Sequence, residues 1–145
     1  MKVTTVGVLG APPERVWNVL TDWERQASWM PDVAWIRVIG PERGLNARLA
    51  VRTKVLGLAI FTDRLQVVVW EPPRRVVVRH VGLVRGVGEW RLDRHAKGTW
   101  FRWTEDVSLN VPVVGDLAVL VYRPILRWAL RRSLVNLRRR VEKRP

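Results

Sequence analysis

Polar and apolar positions alternate from Lys2 to Leu9 in a stretch rich in β-branched residues, which predicts a strand. Gly10-Ala11-Pro12-Pro13 breaks it, and a proline suits a helix start because its missing N–H has no partner there. Glu14 then falls in the first turn, where a carboxylate suits the helix dipole. Val16, Trp17, Val19 and Leu20 form the apolar stripe of a short helix. Thr21 or Asp22 can cap a second short helix, Trp23 to Ala27, which Trp29-Met30-Pro31-Asp32 ends. Six further strands follow: Val33 to Ile39, Ala47 to Val55, Ile60 to Trp70, Arg75 to Val81, Gly86 to Leu92 and Thr99 to Leu109. The gaps hold turn formers such as Gly57, Gly82 and Lys97-Gly98, and short gaps imply antiparallel neighbours.

The last segment, Val113 to Arg144, changes to helical spacing. Leu126, Leu130, Leu134, Leu137 and Val141 share one stripe, and Arg127, Arg131 and Arg138 lie away from it. Pro124 is expected to kink this helix or divide it in two. A long helix with one apolar face needs a cover, and the concave face of a curved sheet supplies one. The expected architecture is one α+β domain over residues 1–145: a curved antiparallel sheet, two short helices after its first strand, and a long C-terminal helix.

Composition narrows the chemistry. The chain has 145 residues, enough to bury a core without staples, and no cysteine. That excludes disulfides, thiolate nucleophiles and Cys-based metal sites. With only His80 and His95, and no H-x-x-x-H spacing, neither a metal nor another cofactor is expected. His95 is expected in a solvated turn. No G-x-S-x-G elbow or phosphate loop exists, and Gly86-Val87-Gly88 fits a bend or bulge in a sheet. The N-terminus lacks a signal-peptide pattern, and the longest apolar run, Leu117 to Tyr122, is far short of the roughly 20 residues of a span. A soluble, cytoplasmic protein is the default expectation.

The net charge is +13, from 26 basic and 13 acidic residues, and 22 of the basic ones are arginine. Such a field attracts polyanions, although arginine excess also follows from coding or thermal bias. From Val113 onward nine basic residues face only Asp116 and Glu142. A solvated face explains this most simply. An anionic membrane surface comes second, and nucleic acid is disfavoured.

Alternation along the strands places titratable groups among apolar ones. Phe61, Leu65, Val67 and Val69 share a face with Asp63; Phe101, Trp103 and Val107 share one with Glu105; Val76 and Val78 share one with His80. If those faces meet the helix, the three titratable groups enter one cavity. Desolvation there could raise the carboxylate pKa values and create general acids or bases; alternatively the groups only orient a ligand. Nine tryptophans are many for this length. Trp90 and Trp103 fall on inward faces, Trp29 falls near the expected cavity mouth, and Trp17 and Trp23 suit packing at the sheet edge. Trp100 is expected to point outward.

Four motifs resemble the START-like superfamily, also called SRPBCC or Bet v 1-like, and within it the polyketide cyclase/dehydrase and coenzyme Q-binding group. They are Ala11-Pro12-Pro13-Glu14-Arg15-Val16-Trp17, Trp29-Met30-Pro31-Asp32-Val33, Glu71-Pro72-Pro73-Arg74-Arg75, and Trp90-x-Leu92 followed by Gly98-Thr99. The resemblance implies a helix-grip fold with an apolar cavity between sheet and helix. It implies a hydrophobic ligand, such as a lipid, quinone or polyketide, held by a carrier, sensor or accessory module. A polyketide cyclase or dehydratase is the alternative, with Asp63, His80 or Glu105 moving protons. Polyanion binding through the basic surface is the third possibility. Fold does not choose among these, so turnover stays open and no catalytic residue is carried over. The expected ligand-binding residues are Trp29, Phe61, Asp63, Leu65, His80, Trp90, Trp103, Glu105, Leu117 and Val121, with access near Trp29–Pro31 and Val113–Leu120.

Overall fold

A computed structural model describes residues 1–110 and 115–143. Strand β1 (Lys2–Leu9) leads into helix α1 (Pro13–Leu20) and a 3-10 turn (Trp23–Ser28). Then come β2 (Val33–Ile39), β3 (Arg48–Val55), β4 (Leu58–Glu71), β5 (Arg75–Val81), β6 (Val84–His95), β7 (Gly98–Leu109) and helix α2 (Gly115–Glu142). The strands form one antiparallel sheet in the order β1-β7-β6-β5-β4-β3-β2. Each connection from β2 to β7 is a hairpin, and only β1 reaches its neighbour from a distant part of the chain. This is the helix-grip arrangement expected from the motifs.

Pro13 opens α1 and Glu14 stands in its first turn, as its residue types require. Neither Thr21 nor Asp22 caps the next segment: the Thr21 hydroxyl donates back to the Trp17 carbonyl at 2.8 Å, and Asp22 makes no capping bond. That segment is accordingly a tight 3-10 turn rather than an α-helix. Strands β4 and β6 run one to three residues further than alternation predicts at their ends. Pairing continues there between backbones, for example His95 with Gly98, where exposed side chains no longer signal a buried face. His95 closes β6, exposed, and its Nδ1 accepts the Lys97 N–H at 3.0 Å.

Helix α2 buries Leu126, Leu130, Leu134, Leu137 and Val141, the expected stripe, with Ala129 and Ser133 between them. It packs most closely on β1 and β7. Gly7 permits this: a Cβ there would lie 3.1 Å from Leu134 Cδ2. Pro124 lies inside α2 without dividing it. The bond it forfeits is to the carbonyl of Leu120, on a turn where Leu120 and Val121 are exposed and water can take that carbonyl. The expected helix ends at Val113 and Arg144 lie outside the described residues. No described helix is long and apolar enough to cross a membrane.

One expected face is interrupted. The β4–β5 register shifts between Val67 and Val69. Val67 pairs with Val78, but Trp70, not Val69, pairs with Val76 on the inner face. The bulge inserts one residue and swaps the alternation. It delivers the Trp70 ring to Trp17, 4.9 Å between centroids, and to Trp23 at 6.3 Å.

Candidate functional site

A cavity of about 850 Å³, counting the space open to solvent at its mouth, lies between α2 and the sheet. Tyr122, Leu126 and Leu130 face it from α2, and Val51, Leu65, Val76, Val78 and Val107 face it from the strands. Its aromatic wall is built from three tryptophans. Trp23 stacks on Trp90 at 6.2 Å, and Trp103 meets the Trp90 ring edge-on at 5.7 Å. Trp90 and Trp103 are directly opposite each other on β6 and β7, so alternation alone puts both rings on the same face.

One polar cluster interrupts this apolar lining. Asp63 on β4, His80 on β5 and Glu105 on β7 meet across three strands. His80 Nδ1 lies 2.9 Å from Asp63 Oδ2, and His80 Nε2 lies 3.1 Å from Glu105 Oε2. Carboxylate oxygens only accept, so each ring nitrogen donates and the ring is an imidazolium. The Trp103 indole N–H donates to Glu105 Oε1 at 3.0 Å. Strand β6 runs between His80 and Glu105, and it carries Gly88 at the crossing. A Cβ there would stand 2.8 Å from both Glu105 carboxylate oxygens. The glycine therefore opens the path by which a β7 side chain reaches β5.

The electrostatics follow from that geometry. Burial works against charge on His80, but the hydrogen bonds and charges of Asp63 and Glu105 outweigh it and hold its pKa at about 10. At neutral pH His80 is a clamped cation and not a free base. Asp32, half-buried at the end of the turn before β2, also lines the cavity. Desolvation lifts its pKa to about 6, helped by the Glu105 charge and opposed by its backbone hydrogen bond and by Lys54. Desolvation, with Asp32, Glu105 and Asp63 facing it, also pushes the Tyr122 hydroxyl upward. Among the described residues no cluster of His, Asp or Glu is arranged to hold a metal.

Of the expected ligand-binding residues, Phe61, Asp63, Leu65, His80, Trp90, Trp103 and Glu105 all line this cavity. Trp29, Leu117 and Val121 do not. Trp29 is fully buried behind the wall, its ring 6.4 Å from Trp90 and 6.2 Å from Trp103, and α2 pins its carbonyl through Asn136. Leu117 and Val121 are exposed, at 63% and 60%. Stepping back four residues from Leu126 along its stripe gives Tyr122, which does face the cavity; Val121 is one residue off that line. Tyr122 was thus within reach of the helical spacing. Asp32, Gln26 and Trp23 were not, because they sit on turns without a period to read. Trp100 is half-exposed, as expected, with the Arg102 guanidinium 5.8 Å above its ring.

Comparison with known proteins agrees with this architecture. The family described as polyketide cyclase / dehydrase and lipid transport matches residues 1–142. An uncharacterized protein of Mycobacterium tuberculosis is 31% identical over 144 residues, covering 94% of this chain and 81% of that protein. The Zhui aromatase/cyclase from Streptomyces superposes with a TM-score of 0.84 at 19% identity, over 98% of this chain and 93% of that one. A START superfamily protein from Mycobacterium smegmatis superposes with a TM-score of 0.74 at 15% identity, over 97% of each chain. At such identities the two structures speak to fold alone. The family match covers nearly the whole chain, and the chain belongs to that family.

Proposed function

We propose that this member of the polyketide cyclase / dehydrase and lipid transport family is a single ligand-binding domain. It holds a hydrophobic small molecule between sheet and α2, as a carrier, sensor or accessory module. The observation that carries this reading is the cavity itself: a tryptophan-walled apolar space with one polar cluster whose members pair with each other. Burying an apolar ligand there is worth about 25 cal/mol per Å² of surface removed from water, and the polar groups fix its orientation. The test is native mass spectrometry of gently purified protein, followed by solvent extraction. A small-molecule adduct near unit stoichiometry is expected, and Val78→Trp, which fills the cavity, is expected to lose it. An adduct that survives in Val78→Trp, or failure to take up any lipid, quinone or polyketide-like compound, overturns the reading.

A cyclase or dehydratase is the second reading, and Asp32 favours it. Its pKa of about 6 leaves a carboxylate able to take and return a proton near neutral pH inside an apolar space. His80 fits that role poorly, since both ring nitrogens are engaged. Turnover of a β-hydroxyketone surrogate to its dehydrated product, lost in Asp32→Asn with binding retained, would select the enzyme. Delivery of the ligand from an anionic membrane is supported by the outer face of α2, where Arg127, Arg131 and Trp128 are exposed.

A further inference from the structure

The cavity and the molecule carry opposite signs. The chain has a net charge of +13. Yet among the described residues no lysine or arginine lines the cavity; its ionisable groups are Asp32, Asp63, Glu105, His80 and Tyr122. Three carboxylates face one imidazole. The His80 cation offsets one of the two charges of its partners, and Asp32 adds another, which only Lys54, outside the lining, opposes.

The polar cluster keeps negative charge and acceptor capacity that its own contacts do not use up. Asp63 is only 4% exposed; its Oδ1 has no hydrogen-bond partner but packs against Gly82, where a Cβ would stand 2.6 Å from it, so it adds buried negative charge rather than an open acceptor. Glu105 spends one contact per oxygen, on Trp103 and on His80, whereas a carboxylate offers about four acceptor sites. Both His80 N–H groups are already committed. Uncompensated negative charge in apolar surroundings is costly until a cation or a strong donor meets it. A neutral hydroxyl would satisfy an acceptor and leave the charge. A carboxylate would add a further negative charge with only neutral donors, such as the Thr53 and Tyr122 hydroxyls, to receive it.

Resting on the cavity reading above, we propose that the ligand has an apolar, planar body and a protonated amine, and that the amine seats against Asp32 and the Asp63–His80–Glu105 cluster. The tryptophan wall receives the body, and the acidic end rejects carboxylates of the same shape. A preference for the amine runs against the molecule's outer field, which draws anions to the surface, and so cannot come from that field.

Isothermal titration calorimetry with naphthylmethylamine, naphthylmethanol and naphthoate at neutral pH tests it on the unmodified protein. The amine is expected to bind about tenfold or more tightly than the alcohol, with the carboxylate weakest. Alcohol or carboxylate binding as tightly as the amine overturns the amine inference and leaves the cavity reading standing. No binding by any of the three overturns the amine inference as well, while the cavity reading is decided separately by the native mass spectra of wild type and Val78→Trp. In Asp32→Asn, whose folding is checked by its melting curve, the amine-to-alcohol preference is expected to fall several-fold. A preference that is unchanged there, and unchanged in Glu105→Gln, also overturns it.

Discussion

His80 shows how burial and charge compete at one residue. Desolvation would strip its proton, and two carboxylates at hydrogen-bond distance keep it. Its pKa rises from 6.5 in a free histidine to about 10 in the fold. A group with a raised folded pKa stabilises the fold fully below its unfolded value and loses that contribution as pH climbs through the folded one. Stability is therefore expected to decline between pH 6.5 and about 10, with Asp32 adding a decline of the same sign between 3.8 and about 6. Urea titrations across pH check this, and His80→Gln should flatten the alkaline slope. In NMR, the His80 ring should stay protonated on both nitrogens through neutral pH; a titration midpoint below pH 8 would sink the assignment. Gly88 and Gly86 give a paired test on β6. A Cβ at Gly88 meets only side-chain atoms, the Glu105 carboxylate, which must leave its bonds to His80 and Trp103 but not move backbone. Gly88→Ala should cost about 1–3 kcal/mol and lower the His80 pKa while keeping the fold. At Gly86, φ is +131° and a Cβ would run into the Asp106 carbonyl, which is backbone. Gly86→Ala should be clearly the worse of the two in denaturant titration.

At the level of elements, α2 divides into a buried and an exposed face, and the sequence stripe marks the division. Leu137 is fully buried and Trp128 is 57% exposed. Leu137→Ala should cost about 2–5 kcal/mol, and Trp128→Ala about 0.5 kcal/mol or less, by urea unfolding. Comparable losses at both would mean that α2 is rotated on the sheet. The seven strands, their hairpin neighbours from β2 to β7 and the long helix were legible because each carries its period over many residues and the gaps between those strands are short; the pairing of β1 with β7 was not. The inward faces of Asp63, His80 and Glu105 were legible for the same reason, since each lies on an unbroken stretch of alternation. Three further features were not. The bulge after Val67 costs one residue of phase and turns Trp70 inward instead of Val69, and alternation cannot announce its own slip. Asp32 sits on a turn, where no period exists. Trp29 belongs to the core, not the mouth, because tertiary packing against Trp90, Trp103 and Asn136 decides where a turn residue goes.

Across the whole molecule, two electrostatic regions are separated by the sheet and helix that enclose the cavity. Outside, the arginine-rich surface meets water and salt. Inside, the acidic cluster is shielded: the Asp63, His80 and Glu105 side chains are 5%, 14% and 12% exposed. Exposed charges are screened over a Debye length of about 8–10 Å at moderate salt, whereas a buried pair is screened far less. Binding at the two regions must therefore respond to salt differently. Any association with anionic vesicles or nucleic acid should weaken steeply as salt rises, in proportion to the contacts made. A molecule held in the cavity should survive the same wash, because apolar burial and desolvated pairing hold it. Native mass spectra before and after a high-salt wash, with vesicle co-sedimentation in parallel, separate the two. If the adduct leaves along the same salt curve as vesicle binding, it was bound to the surface and the cavity has no claim to it. If it stays in the wild type and is missing from Val78→Trp at every salt concentration, the basic surface and the acidic cavity are independent sites, and the surface can act in delivery without entering into ligand choice.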